Sequence, residues 1–333
     1  MASAGAVKGQ DILSSGSTGT KDIDLSSNKI VVPKDGSVNF QLWGKLSNIQ
    51  SSSSVSGATS GVHRSGMAPA LGLKSGLVSG EWDSNYAGSV LNIRTTGQAS
   101  GERVYGANTS AGHGNAQISR KSKPTVTKQS LSSTTLANID QDLIKFQVAA
   151  DAQGSIAVKQ MVFNVSLAGV SLSNFRLRKG STDMALGDIA VVSDNGTDLE
   201  AGSLASSTLV IVSFTNEETI VGSGNVYTLH ANVSGASAGD NVSISFARDT
   251  SSSVVTGYLV NSAAFGSLAS SASIYNISTG AAPAGTANAT GTFLWSDNSE
   301  VPHSSAVGTA GGSRDWTNDV YVEDLSQTQT VSL

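Results

Sequence analysis

The chain has 333 residues, 20 Lys and Arg against 25 Asp and Glu for a formal net charge of −5, 36 glycines, charged residues at only 14% and no cysteine. That length leaves room for two or three domains, each able to bury a core. The missing cysteine excludes disulfides, thiolate nucleophiles and cysteine-ligated zinc, and a net negative charge without clustered Lys/Arg excludes a nucleic-acid surface.

From the N-terminus, MASAGAVKGQ holds one lysine and no continuous apolar core, so it is not an intact secretory signal. The Ser/Thr/Gly/Val/Ala-rich composition points to a processed chain that works outside the cell. No apolar run approaches the length that spans a bilayer. Strands are expected at residues 29–32 and across Val38, Phe40 and Leu42, joined by a Pro33-Lys34-Asp35-Gly36 turn. Trp43 closes that alternating strand and suits a core; Trp82, like Trp43, has the ring that a sugar would stack on. Residues 51–80 dissolve into Ser, Gly and Ala, the composition of a long surface loop. Strand signals return at 89–94 (SVLNIR) and 102–105. Arg120-Lys121-Ser122-Lys123, just before Pro124, reads as a solvated linker.

The stretch 124–250 alternates most clearly. Ile144, Phe146 and Val148 are spaced by polar residues. Ile156 and Val158 are followed, after a phase slip at Lys159-Gln160, by Met161, Phe163, Val165 and Leu167, and such a slip marks a β-bulge. Phe175 and Leu177, residues 209–214, then Tyr227, Leu229, Ala231 and Val233, and finally Val242, Ile244 and Phe246 supply the remaining strands. Asp194-Asn195-Gly196-Thr197 is a tight-turn signal. About seven short strands at this spacing match an immunoglobulin-like sandwich. No window carries a sustained helical period. Further strands are expected at 254–260, 273–277, 291–295, 320–322 and 328–333, separated by connections such as GAAPAGTANATG. The expected organisation is all-β: an N-terminal β-domain over 1–120 with an extended segment and long loop, an immunoglobulin-like sandwich over 121–250, and a C-terminal β-region over 251–333. Together these are tandem β-sandwich domains with long Ser/Gly-rich loops.

Two stretches, LIKFQVAADAQGSIAVKQMVFNVSLAGVSLSNFRLRKGSTDM and EETIVGSGNVYTLHANVSGASAGDNVSISF, together with the tail FLWSDNS…HS…DWTNDVYVEDL, carry a resemblance. They are similar to a module of large surface proteins from ultra-small, uncultivated bacteria of the candidate phyla. The resemblance covers about residues 123–333. It implies an immunoglobulin-like sandwich in a cell-surface or S-layer-type protein, and it brings no catalytic motif with it.

The tail 293–325 concentrates the chemistry: two tryptophans, His303, Arg314 and the acids Asp297, Glu300, Asp315, Asp319, Glu323 and Asp324. Two uses compete. In one, Trp295 and Trp316 cap a core while Asp and Asn make side-chain-to-backbone turns. In the other, Asp297, Glu300, Asp315 and Asp319 supply oxygens to calcium, which takes six to eight, or Trp295 and Trp316 form an exposed binding surface for a cell-envelope glycan. A second calcium candidate is Asp194, Asp198 and Glu200, otherwise solvated acids at a hairpin tip. A Ser-His-Asp set of His303, Ser304 and Asp315 lacks any nucleophile elbow or oxyanion motif around it. His63, His113, His230 and His303 show no zinc spacing, and His230 is placed on the outward face of its strand. The expectation is a non-enzymatic, secreted structural protein that self-assembles with copies of itself into a surface layer or filament, without a cofactor unless calcium binds. The alternative is an adhesin-like module that binds glycans or cells.

Overall fold

The structure, a computed structural model, describes residues 28–39, 41, 90–107, 119–194, 196–248, 293–303, 315–317, 319, 322, 324–325 and 327–333. Expectations for Phe40, Leu42, Trp43, the 51–80 loop, Trp82, His63, His113, the strands at 254–260 and 273–277, and Ser304 fall outside the described residues. The chain divides into two compact units, and the described residues from Arg120 onward all belong to the second. Every described strand runs antiparallel to its partners and no α-helix occurs among the described residues. No described helix is long and apolar enough to cross a membrane.

In the first unit, β1 (Val90–Thr96) and β2 (Arg103–Ala107) pair as a hairpin closed by Gly97 N–H to Glu102 O at 2.8 Å. The Pro33-to-Gly36 turn forms, with Gly36 N–H donating to Pro33 O at 3.1 Å. Its expected flanking strands do not: residues 29–32 and Val38 lie in no strand, and Val31, Val32 and Val38 are exposed. Turn chemistry is local, whereas a strand needs a partner edge.

The second unit is two sheets packed face to face, the layout of a β-sandwich. One contains β3 (Pro124–Gln129), β4 (Asp140–Ala150), β11 (Asn225–Ser234), β6 (Ser171–Lys179), β7 (Thr182–Asp183) and, beside β6, β9 (Ser203–Leu204). The other is built on β5 (Ile156–Ala168), with β10 (Thr208–Ile220) and then β8 (Ile189–Ser193) on one side. On the other side of β5 lie β12 (Asn241–Phe246) and β13 (Phe293–Ser296); β14 (Trp316–Thr317) extends from β13 and β15 (Gln329–Ser332) from β12. Alternating apolar residues point inward from both sheets, and a ring cluster joins them: Phe146 stands 5.8 Å from Phe163 and 4.8 Å from Phe246, and Phe246 6.0 Å from Phe293. Each such pair adds about 0.5–1.5 kcal/mol to burial itself.

The described residues of 251–333 do not form a region apart. Phe246 pairs with Phe163 and Phe293 with Met161, so β12 and β13 lie one after the other along a single lane beside β5. The reason is apolar area: β13 and β14 bury Phe293, Leu294, Trp295 and Trp316 completely against the sandwich. The slip at Lys159-Gln160 is a bulge, with Gln160 facing Leu294 and Val158 facing Trp295 so that Lys159 is the extra residue. Opposite it β10 also breaks register between Ser213 and Glu218. β8, IAVVS, does not alternate because both its faces are buried: Val191 points into the main core, Val192 into a smaller outer cluster with Val162, Ile211 and Ala247.

Candidate functional site

The chemistry-bearing tail folds onto the bulged part of β5. β13 pairs with β5, and β14 with β13 through Trp295–Thr317 and Ser296–Trp316. This leaves Ser296, Asp297, Asp315, Thr317 and Asp319 buried among apolar neighbours. A buried carboxylate must be paired or hydrogen-bonded, and each described partner is a fixed group of the same unit. Asp297 accepts the backbone N–H of Lys121 on Oδ2 and the hydroxyl of Ser299 on Oδ1, both at 2.7 Å. Asn298, in a left-handed conformation at φ 48°, donates from its N–H to Ser296 Oγ at 3.0 Å and from its side chain to Ser155 Oγ at 3.1 Å. The Val301–Pro302 peptide bond is cis.

His303 is the centre of the cluster. Its Nδ1 lies 3.0 Å from Asp315 Oδ2 and its Nε2 3.0 Å from Glu217 Oε2, while its ring packs 5.4 Å from that of Trp316. Burial disfavours the charged imidazolium, but the hydrogen bonds and negative charges of Asp315 and Glu217 outweigh it and push His303 up to about 10. Asp315 is raised by burial and lowered more by His303, by the Glu300 N–H and by Ser296, so it stays below the usual carboxylate range. At neutral pH the arrangement is therefore carboxylate, imidazolium, carboxylate, with both ring nitrogens donating. Arg120 closes the other side: its guanidinium donates to Asp315 O at 3.1 Å and lies 5.5 Å over the Trp295 ring. Arg248 Nε stands 3.8 Å from Asp319.

The sequence-based uses take these places in the fold. Trp295 and Trp316 are core caps, fully buried, and offer no face to a glycan. Asp315 does orient His303 as in a catalytic dyad, yet Nε2, which would meet a hydroxyl nucleophile, is held by Glu217. Among the described residues, the calcium candidates Asp297, Glu300, Asp315 and Asp319 form no group of three or more acidic or histidine side chains gathered as a metal site. Asp194, Asp198 and Glu200 do not converge either. Asp198 accepts the Glu200 N–H at 2.8 Å, and burial and then the charge of Asp198 push the Glu200 carboxyl up. The expected tight turn is present, with Gly196 N–H donating to Ser193 O at 2.9 Å.

Four residues were not legible in the roles they take. Arg120 and Lys121 are not a solvated linker but the first residues of the unit, pinned by Asp297 and Asp315, with Ser122 buried behind them. Glu217 reaches His303 because the β10 bulge turns it there; the polar run Thr215-Asn216-Glu217-Glu218 inside an apolar strand was its only signal. His230 does sit on the outer face of its sheet but is nearly fully buried, between Asp140 and Asp183 at 3.0 Å each. Arg178 continues that chain to Asp183 at 3.1 Å and Asp142 at 3.0 Å. Compared with known proteins, the chain matches no family model and no curated sequence.

Proposed function

We propose that the chain is an extracellular structural subunit, built on an immunoglobulin-like sandwich, that assembles with its own copies into a surface layer or filament. One observation supports this above the others. In the cluster richest in reactive side chains, His303 has both nitrogens engaged, Asp297 both oxygens, and Trp295 and Trp316 are covered. Groups so placed hold strands together; they are not positioned to meet a substrate. The low charge content of the chain lets β-structure of neighbouring copies approach without desolvating many ions, and a repeated heterologous contact of that kind propagates into sheets or fibres. An adhesin that reads glycans would need an exposed aromatic face, and the two tail tryptophans do not supply one.

Purified chain, imaged by negative stain over rising concentration without added ligand, is expected to pass from single particles to ordered sheets or filaments. A chain that stays monomeric throughout overturns the proposal. Parallel samples with chelator report on calcium: assembly unchanged by chelation removes the ion from the mechanism.

A further inference from the structure

At the end of the sandwich where β6 stops and β11 begins, one carboxylate gathers an amine and a carboxamide between the two sheets. Lys179 lies directly opposite Tyr227 in the β6–β11 ladder, and Asn225 opposite Val148 in the β4–β11 ladder. Directly opposed residues point to the same face. Tyr227 and Val148 are fully buried in the core, so Lys179 and Asn225 face inward as well. Glu218 comes from the facing sheet, on β10 just past its bulge. Its Oε1 lies 2.5 Å from Lys179 Nζ and 3.4 Å from Asn225 Nδ2, and it accepts the Tyr227 hydroxyl at 2.7 Å. The Glu218 side chain is 12% exposed, and that of Lys179, which reaches in from the rim, 42%. Burial and then Glu218 push the Tyr227 hydroxyl upward, so it remains a donor.

A primary amine and a carboxamide on one proton-accepting carboxylate are the reactants of an amide transfer. We propose that the side chains of Lys179 and Asn225 are joined by an amide bond that the folded chain forms itself, with Glu218 moving the protons. Lys179 gives a proton to the Glu218 carboxylate, and the neutral Nζ attacks Asn225 Cγ. The Nζ–Cγ bond forms, the Cγ–Nδ2 bond breaks, protons pass through Glu218 to the leaving nitrogen, and ammonia departs. One amide replaces another, so no oxidant or cofactor enters the balance. Enclosure between the sheets favours proton exchange at Glu218 over hydrolysis, and Tyr227 holds the carboxylate in place. In a chain without cysteine, such a bond would tie β6 to β11 as a disulfide would, by constraining the unfolded chain.

Intact-mass measurement of the purified full chain tests this directly. The expected mass is lower than that of the sequence by one ammonia, with a proteolytic fragment in which the Lys179 and Asn225 peptides remain linked. Lys179→Arg and Asn225→Ala should each restore the full mass and the separate peptides, and Glu218→Gln should abolish or slow the linkage. Wild-type chain at full mass with separable peptides overturns the proposal, as does a deficit that persists in Asn225→Ala, which would place the loss at another asparagine. The readout does not involve assembly, so the linkage and the proposed function stand or fall separately.

Discussion

At the residue scale, His303 is a brace whose strength depends on its proton. Its folded-state value of about 10 lies above the ordinary 6.5. The stabilisation is therefore complete below about pH 6.5 and is lost as pH rises through about 10. Asp315 has the opposite sign: held below 3.8, it stabilises above that value and stops doing so as acid protonates it. Urea midpoints should thus fall between neutral pH and about pH 10 in the wild-type chain. His303→Gln leaves the buried Asp315 carboxylate facing Glu217 without the intervening charge. It should cost about 3 kcal/mol at neutral pH and flatten the alkaline fall. A His303→Gln chain as stable as wild type, with the same pH profile, would show that the pair holds nothing.

At the element scale, register and turn geometry place the side chains that matter. The paired irregularities of β5 and β10 leave Lys159 as the extra residue on one strand and turn Glu217 toward His303 on the other. The β10–β11 turn is equally specific. Gly224 has φ +72°, and a Cβ there would sit 1.7 Å from the carbonyl oxygen of Val148, a backbone atom of the adjacent β4. Gly222 in the same turn, φ +54°, has nothing within 4 Å of its Cβ position. Gly224→Ala should therefore lose about 2–3 kcal/mol, whereas Gly222→Ala should lose only about 1 kcal/mol, the strain of its backbone conformation. Equal losses in urea denaturation would mean that the Val148 contact does not bind the turn to the sheet.

At the scale of the whole molecule, the 120–333 unit is closed by its last strand. β15 pairs with β12, and Ser332 exchanges backbone hydrogen bonds with the stretch before β4, from Leu136 N–H at 2.9 Å and to Thr134 O at 3.0 Å. Val331 from this strand is fully buried, worth about 2 kcal/mol alone. Removing residues 329–333 should lower the thermal midpoint sharply and broaden the transition, measured by circular dichroism; an unchanged melt would show the strand to be an appendage. Unpaired edges left on β12 should also make the shortened chain aggregate without order, which separates it from the ordered assembly expected of the intact chain.

Alternation and turn chemistry act over a few residues, so the sequence by itself determined the all-β class, the positions of β4, β5, β6, β10, β11 and β12, the bulge at Lys159 and the tight turn at Gly196. A polar residue's meaning depends instead on what lies across the fold. Asp297 and Asp315 read as turn residues or calcium ligands until β13 and β14 bury them, and Arg120 and Lys121 read as linker until the Asp315 carbonyl and the Asp297 carboxylate hold them. Glu217 meets His303 from 86 positions away in the chain, and Lys179 meets Asn225 only through Glu218 of the opposite sheet. Such pairings exist only once two sheets have closed on each other and water has been removed, because desolvation is what obliges a buried charge to find its partner.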